Sequence, residues 1–224
     1  MHRSVRTAVK AALALCAVLM PATQALATPI TDPANDFIAS YSAIAPKNGD
    51  LDVLSAEVIY DGVNFILTAT FNAAVNFTPD AFYVWGFDRG QGAIRSNFAN
   101  LGRPNIIFDS VVVIQNEGTG VINDLTGMSP QVAFGASATT VNGNSMTTLI
   151  PIANLPSRGF AFSDYTWNLW PRFGGLGVAG TAQISDFAPD ASMQRVTTTP
   201  EPTSLVLLAT GVIAVVARRR AMLG

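Results

Sequence analysis

Six aspartates fall into three close pairs in this chain of 224 residues. Asp32 and Asp36 stand either side of Pro33, Asp50 and Asp52 flank Leu51, and Asp186 and Asp190 bracket Phe187-Ala188-Pro189. Carboxylate oxygens on turn-forming backbone are the ligands a hard cation such as Ca²⁺ takes, and the millimolar calcium outside cells tolerates weak sites. None of the pairs has EF-hand spacing. The first and third pairs can meet if the first and last strands of the fold are neighbours. Aspartates also cap turns through their own side chains, so both uses stay open. Calcium is the one cofactor these residues suggest.

Aromatic residues form a second set. Tyr83 and Trp85 are two apart and share one face of a strand, as do Tyr165 and Trp167, with Trp170 and Arg172 shortly after. Tyr83, Trp85, Trp167 and Trp170 are therefore the candidates for a platform that stacks on sugar rings. The competing use is a core, where such rings bury large areas, and Trp85 reads that way. Trp167 and Trp170 point to different faces of any strand, so at least one is expected at the surface.

What is missing narrows the chemistry further. The single histidine is His2 and the single cysteine is Cys16, both within an N-terminal leader. Once that leader is removed, no Ser-His-Asp triad, Cys-His dyad or ordinary zinc site can be built. Carboxylate pairs of the glycosidase kind remain, with Glu57 and Glu117 as the acids to consider. Neither stands in a recognisable catalytic context, and the expectation is a protein that is not an enzyme.

These side chains need a scaffold, and the sequence supplies strands. Leu54–Tyr60 and Phe65–Phe71 alternate apolar and polar residues around Asp61-Gly62, a strong hairpin signal because glycine accepts the positive φ of a tight turn. Ala81–Phe87 and Ile106–Gln115 are aromatic and β-branched runs. Gln131–Val141 and Ser145–Ile152 flank Asn142-Gly143, and Phe160–Leu169 and Val178–Ile184 complete the series. The prediction is an all-β fold, an antiparallel β-sandwich of lectin or jelly-roll type, with a barrel as the alternative.

The two ends read as addresses. Residues 1–27 form a secretory signal peptide: His2, Arg3, Arg6 and Lys10 precede the apolar Ala11–Met20, and Ala25 and Ala27 are the small residues signal peptidase needs, so cleavage leaves Thr28 first. Residues 28–195 are the sandwich, and residues 196–199 a polar spacer. Residues 200–224 hold Pro200-Glu201-Pro202, a largely apolar stretch Leu205–Ala217, and Arg218, Arg219 and Arg220. The stretch reads as a short transmembrane helix whose terminal arginines stay in the cytoplasm. Between the ends, seven basic residues face fourteen acidic ones, a net charge of −7. That charge suits solubility and cation attraction and excludes a nucleic-acid partner.

The order Pro-Glu-Pro, apolar helix, arginine cluster resembles the PEP-CTERM sorting signal of Gram-negative bacteria that make exopolysaccharide. The resemblance implies recognition by exosortase, a membrane cysteine transpeptidase, transient anchoring in the inner membrane, and delivery to the cell surface or extracellular matrix. The body, with Asp32-Pro33-Ala34-Asn35-Asp36, an Asp-Gly hairpin and Ile150-Pro151-Ile152 before Leu155, resembles DOMON or family-9 carbohydrate-binding β-sandwiches. That likeness implies a lectin-like fold, sugar binding and in some members structural calcium. The reading is a non-enzymatic surface or matrix protein associated with exopolysaccharide and biofilm. A calcium-assisted carbohydrate-binding module is the second reading, and a glycan-active hydrolase the third.

Overall fold

Alternation of buried and half-exposed residues over Val53–Tyr60 (β2) and Asn64–Phe71 (β3) makes a hairpin closed at Asp61 and Gly62. Asp61 Oδ1 accepts the Val63 and Asn64 amides, at 2.8 and 2.6 Å, and Gly62 takes φ +96°. Those amides hold the Asp61 carboxyl below its usual range. The computed structural model describes residues 29–92 and 96–199. The signal peptide with Ala25, Ala27 and Thr28 lies outside the described residues, as do Pro200, Glu201, Pro202 and Arg218–Arg220.

The remaining strands are β1 (Ile30–Thr31), β4 (Ala81–Asp88), β5 (Ser96–Phe98), β6 (Arg103–Phe108), β7 (Ser110–Gln115), β8 (Gly120–Asp124) and β9 (Val132–Phe134). They continue with β10 (Thr139–Asn142), β11 (Ser145–Pro151), β12 (Thr166–Phe173), β13 (Gln194–Arg195) and β14 (Thr197–Thr198). One sheet runs β1-β2-β3-β11-β10, with β14 also on β2; the other runs β13-β12-β4-β7-β8-β9. Their pairings are antiparallel except β14 with β2. The fold is the expected all-β antiparallel sandwich. Among the described residues the only helices are short 3₁₀ turns, and no helix is long and apolar enough to cross a membrane.

Two cores explain the aromatics. Phe65, Leu67 and Phe71 of β3 meet Tyr83, Trp85 and Phe87 of β4 and Trp167 and Leu169 of β12 between the sheets. On the far face of the second sheet, Val84, Val111 and Trp170 lie beneath Phe98, Ile106 and Phe108 of the β5–β6 hairpin and beside Ile38, Leu51 and Phe187. The second sheet is therefore covered on both faces. Gly86 permits this, since a Cβ there would stand 2.3 Å from the Trp170 ring. The outer face of the first sheet carries the half-buried Glu57, Thr68 and Thr147 in register, with Thr68 and Thr147 hydroxyls 3.2 Å apart.

Four expected segments differ from what is found. The run Ile106–Gln115 breaks at Asp109, where β6 leaves to pair with β5. Gln131–Val141 divides at the 3₁₀ turn Ala136–Ala138 into β9 and β10, which belong to different sheets. The strand expected over Phe160–Leu169 is β12, beginning later because Phe162–Asp164 is a 3₁₀ turn. Val178–Ile184 is not a strand: Gly180 at φ +61° opens a 3₁₀ turn, and Arg172 rather than a neighbouring strand takes the Gly180 carbonyl, at 2.6 Å. Residues 196–199 are likewise no free spacer, since Val196 is buried and Thr197–Thr198 pair with Ile59 and Tyr60.

Candidate metal centre

Three stretches of irregular backbone deliver carboxylates to one place. Asp32 and Asp36 lie in the loop after β1, Asp52 ends the 3₁₀ turn Gly49–Leu51 just before β2, and Asp186 and Asp190 follow the Ser185 amide bond to the Pro171 carbonyl. Because β1 pairs with β2 and the Ser185 amide also secures its segment to β12, both ends of the body converge on the start of β2. One oxygen from each of Asp32, Asp36 and Asp190 lies within 4.8 Å of the others, and the same holds for Asp36, Asp52 and Asp186. Asp36 belongs to both groups.

The inner carboxylates are held by fixed donors. Asp52 is fully buried and accepts the Asn35 amide, at 3.0 and 2.8 Å, and the Asn72 side-chain amide at 2.8 Å. Asn35 reaches it from a left-handed conformation, φ 66°. Asp186, also fully buried, accepts the Val53 amide at 2.9 Å and the Phe187 amide at 2.7 Å. Asp32 Oδ2 and Asp36 Oδ1 are buried without a hydrogen-bond partner. The described cation bonded to the cluster is Arg103, whose Nη2 donates to the exposed Asp190 at 3.1 Å.

The electrostatics follow from that geometry. Burial, then repulsion from Asp186, Asp36 and Asp190, pushes the Asp32 carboxyl well above the usual carboxylate range. Burial chiefly, with Asp36 and Asp52 adding to it against the Val53 amide, does the same to Asp186. Burial and the Asp190 charge raise Asp36. Such a group stays together by holding protons or by holding a cation. Calcium sits about 2.3–2.6 Å from its oxygens, so the oxygens around one ion lie no more than about 4.6–5.2 Å apart, and each of the two three-carboxylate groups falls within that reach. An all-oxygen set suits Ca²⁺ over zinc or copper, and mixed buried and exposed carboxylates suit its irregular shell better than the strict octahedron of Mg²⁺.

Five of the six aspartates singled out from sequence thus meet. Asp50 does not. It turns the other way and accepts the Thr78 amide, at 2.7 Å, and the Thr78 hydroxyl, tying the loop before β4 to the Gly49–Leu51 turn. Sequence reasoning missed Asn35, Asn72 and Arg103, which carry no spacing signal because each acts on a partner remote in the chain.

The aromatic candidates are placed differently from expectation. Tyr83, Trp85, Trp167 and Trp170 are at most 2% exposed. Trp167 and Trp170 do point to opposite faces of β12, but the second face is also roofed, so neither offers a ring to a ligand. Glu57 lies on the outer face of β2, and Glu117 in the turn between β7 and β8, where Thr119 bonds it. The strand that carries Glu57 and the turn that carries Glu117 belong to different sheets.

No curated protein matches this chain in sequence. The family description "PEP-CTERM protein-sorting motif" matches residues 198–220, which begins in β14 and takes in the Pro200-Glu201-Pro202 tail; the body resemblance to DOMON and family-9 modules gains no such match. By that motif the chain is an exported protein sorted and processed by exosortase for the cell surface.

Proposed function

We propose that this is a non-enzymatic surface or matrix protein of a Gram-negative bacterium, associated with exopolysaccharide, whose sandwich is locked by calcium after export. The convergence of Asp32, Asp36, Asp52, Asp186 and Asp190 carries the reading. Two of those acids are fully buried, and two of the oxygens are buried without partners. Outside the cell, calcium would join the two ends of the body to the start of β2. The stretch Leu205–Ala217 would hold the chain in the inner membrane until exosortase acts near Pro200-Glu201-Pro202. The non-enzymatic part rests on His2 and Cys16 lying in the leader and on the separation of Glu57 from Glu117.

Thermal unfolding of the exported protein in CaCl₂, MgCl₂ and EDTA tests the calcium. A midpoint raised by calcium beyond magnesium is expected, and identical midpoints in all three would sink the reading. Mass spectrometry of the exported protein should find a C-terminus close to Pro200–Pro202; a chain retaining Arg218–Arg220 in the inner membrane contradicts the route. Polysaccharide turnover that disappears in Glu57→Gln or Glu117→Gln would restore the hydrolase.

A further inference from the structure

An open groove of about 340 Å³ lies beside the cluster, lined by Ile38, Ala39, Ser40, Asn100, Leu101 and Arg103. Its size falls at the lower end of small-molecule sites, about 300–1,000 Å³. One wall is the segment after Asp36, and the other is the 3₁₀ turn Ala99–Leu101 between β5 and β6. Arg103 is the charged residue of the lining. Its guanidinium stacks on Phe187, with Cζ 4.9 Å from the ring centroid, while Nη2 bonds Asp190 and Nε is buried without an acceptor.

We propose that this groove binds a neutral sugar residue of a polysaccharide. A sugar's neighbouring hydroxyls both donate and accept, and the lining residues can do both: Arg103 and the Asn100 side-chain NH₂ donate, the Asn100 side-chain carbonyl accepts, and the Ser40 hydroxyl does either. Ile38 and Leu101 supply apolar contact for the ring's C–H faces. Charge selects the neutral class. Among the described residues, Asp32, Asp36 and Asp190 adjoin Arg103, and the body carries −7, so a uronate or phosphate ligand meets net repulsion even with one calcium bound. This rests on the proposed function in one respect: Asp36 lies two residues before Ile38 and Asp190 bonds Arg103, so calcium in the cluster steadies both walls.

The test is calorimetric titration of the exported protein with neutral glucan and galactan oligosaccharides, and with polygalacturonate as the acidic arm, in calcium and in EDTA. A neutral oligosaccharide should bind more tightly in calcium. Arg103→Ala should weaken it about tenfold or more, the cost of a charge-assisted hydrogen bond. The calcium-induced rise in unfolding midpoint should persist in that variant, showing an intact fold and ion site. Arg103→Lys should restore little, because an ammonium lacks the planar fork. Equal affinity in wild type and Arg103→Ala, absence of neutral-sugar binding, or preference for polygalacturonate each overturns the proposal. Arg103-dependent sugar binding without any calcium shift would sustain the groove and sink the calcium reading instead.

Discussion

Asp109 and Asp186 are both fully buried, yet the fold treats them in contrary ways. Asp109 accepts Arg89 Nε at 2.6 Å and Arg158 Nη1 at 3.1 Å, and Arg89 Nη2 stands 3.0 Å from Asp124. That network joins the end of β4, the β6–β7 break, the end of β8 and the loop before β12 with charges the chain itself supplies. Asp186 is grouped with Asp36 and Asp52, and among the described residues the cation bonded to the cluster is Arg103, at its outer edge. One region is neutralised from within; under the calcium lock proposed above, the other would take its neutralising charge from the medium. A protein that folds after export could delegate a charge in this way, because calcium is abundant outside the cell.

The comparison can be broken in several ways, and the largest effects belong to the self-sufficient region. Arg89→Met leaves buried carboxylates underpaired and should cost about 3–5 kcal/mol by chemical denaturation, in calcium or EDTA alike. An Arg89→Met, Asp109→Leu double variant should recover much of that loss; failure to recover would mean that the network positions its loops rather than balancing charge. Next comes the ion itself. A site with a Kd typical of extracellular modules should stabilise the protein by about 1.4–2.7 kcal/mol at a calcium excess of ten- to a hundredfold over Kd, several degrees in midpoint.

Asp32→Asn gives a sharper test, since its sign should reverse. In EDTA the substitution removes a repelled carboxylate and should raise the midpoint; in saturating calcium it removes a ligand and should lower it. A loss in both conditions would show that Asp32 is structural alone. The smallest effect concerns acid. Burial works to raise the Asp124 carboxyl, but hydrogen bonds from Thr126 and the charge of Arg89 win and hold it below the ordinary value of 3.8. Its contribution is therefore present above that value and is lost as pH falls through the lower folded one. Asp124→Asn should flatten the stability profile below about pH 4; an unchanged profile would assign acid unfolding to other groups.

Local chemistry made some of this legible in the sequence. Asp61-Gly62 and Asn142-Gly143 announce the β2–β3 and β10–β11 hairpins because the turns themselves demand those residues. The paired aspartates announce a cluster because turns gather short acidic side chains, and closure of the body at its two ends does the rest. What escaped notice depends on third parties. Trp85 was legible as core, in keeping with Ala81–Phe87, which has almost no polar alternation, the mark of a strand buried on both sides; the cover over Trp170 was not. Nothing near Trp170 in the chain reveals Phe98 and Phe108, which cover it from another hairpin. Arg89 and Asp109, twenty residues apart, form no motif that spacing could expose.

The last strand of the body also governs how the protein bears load. Thr199 donates its amide to Tyr60, immediately after the two-residue β14, so the sheet continues to the edge of the sorting motif. A pull transmitted through the chain beyond Thr199 would therefore enter the body at β14. Two parallel residue pairs are a weak grip beside the eight-residue β2 they hold. Under tension this strand is expected to peel before the longer β2–β3 pairing, lengthening the chain by a few residues before force reaches the core.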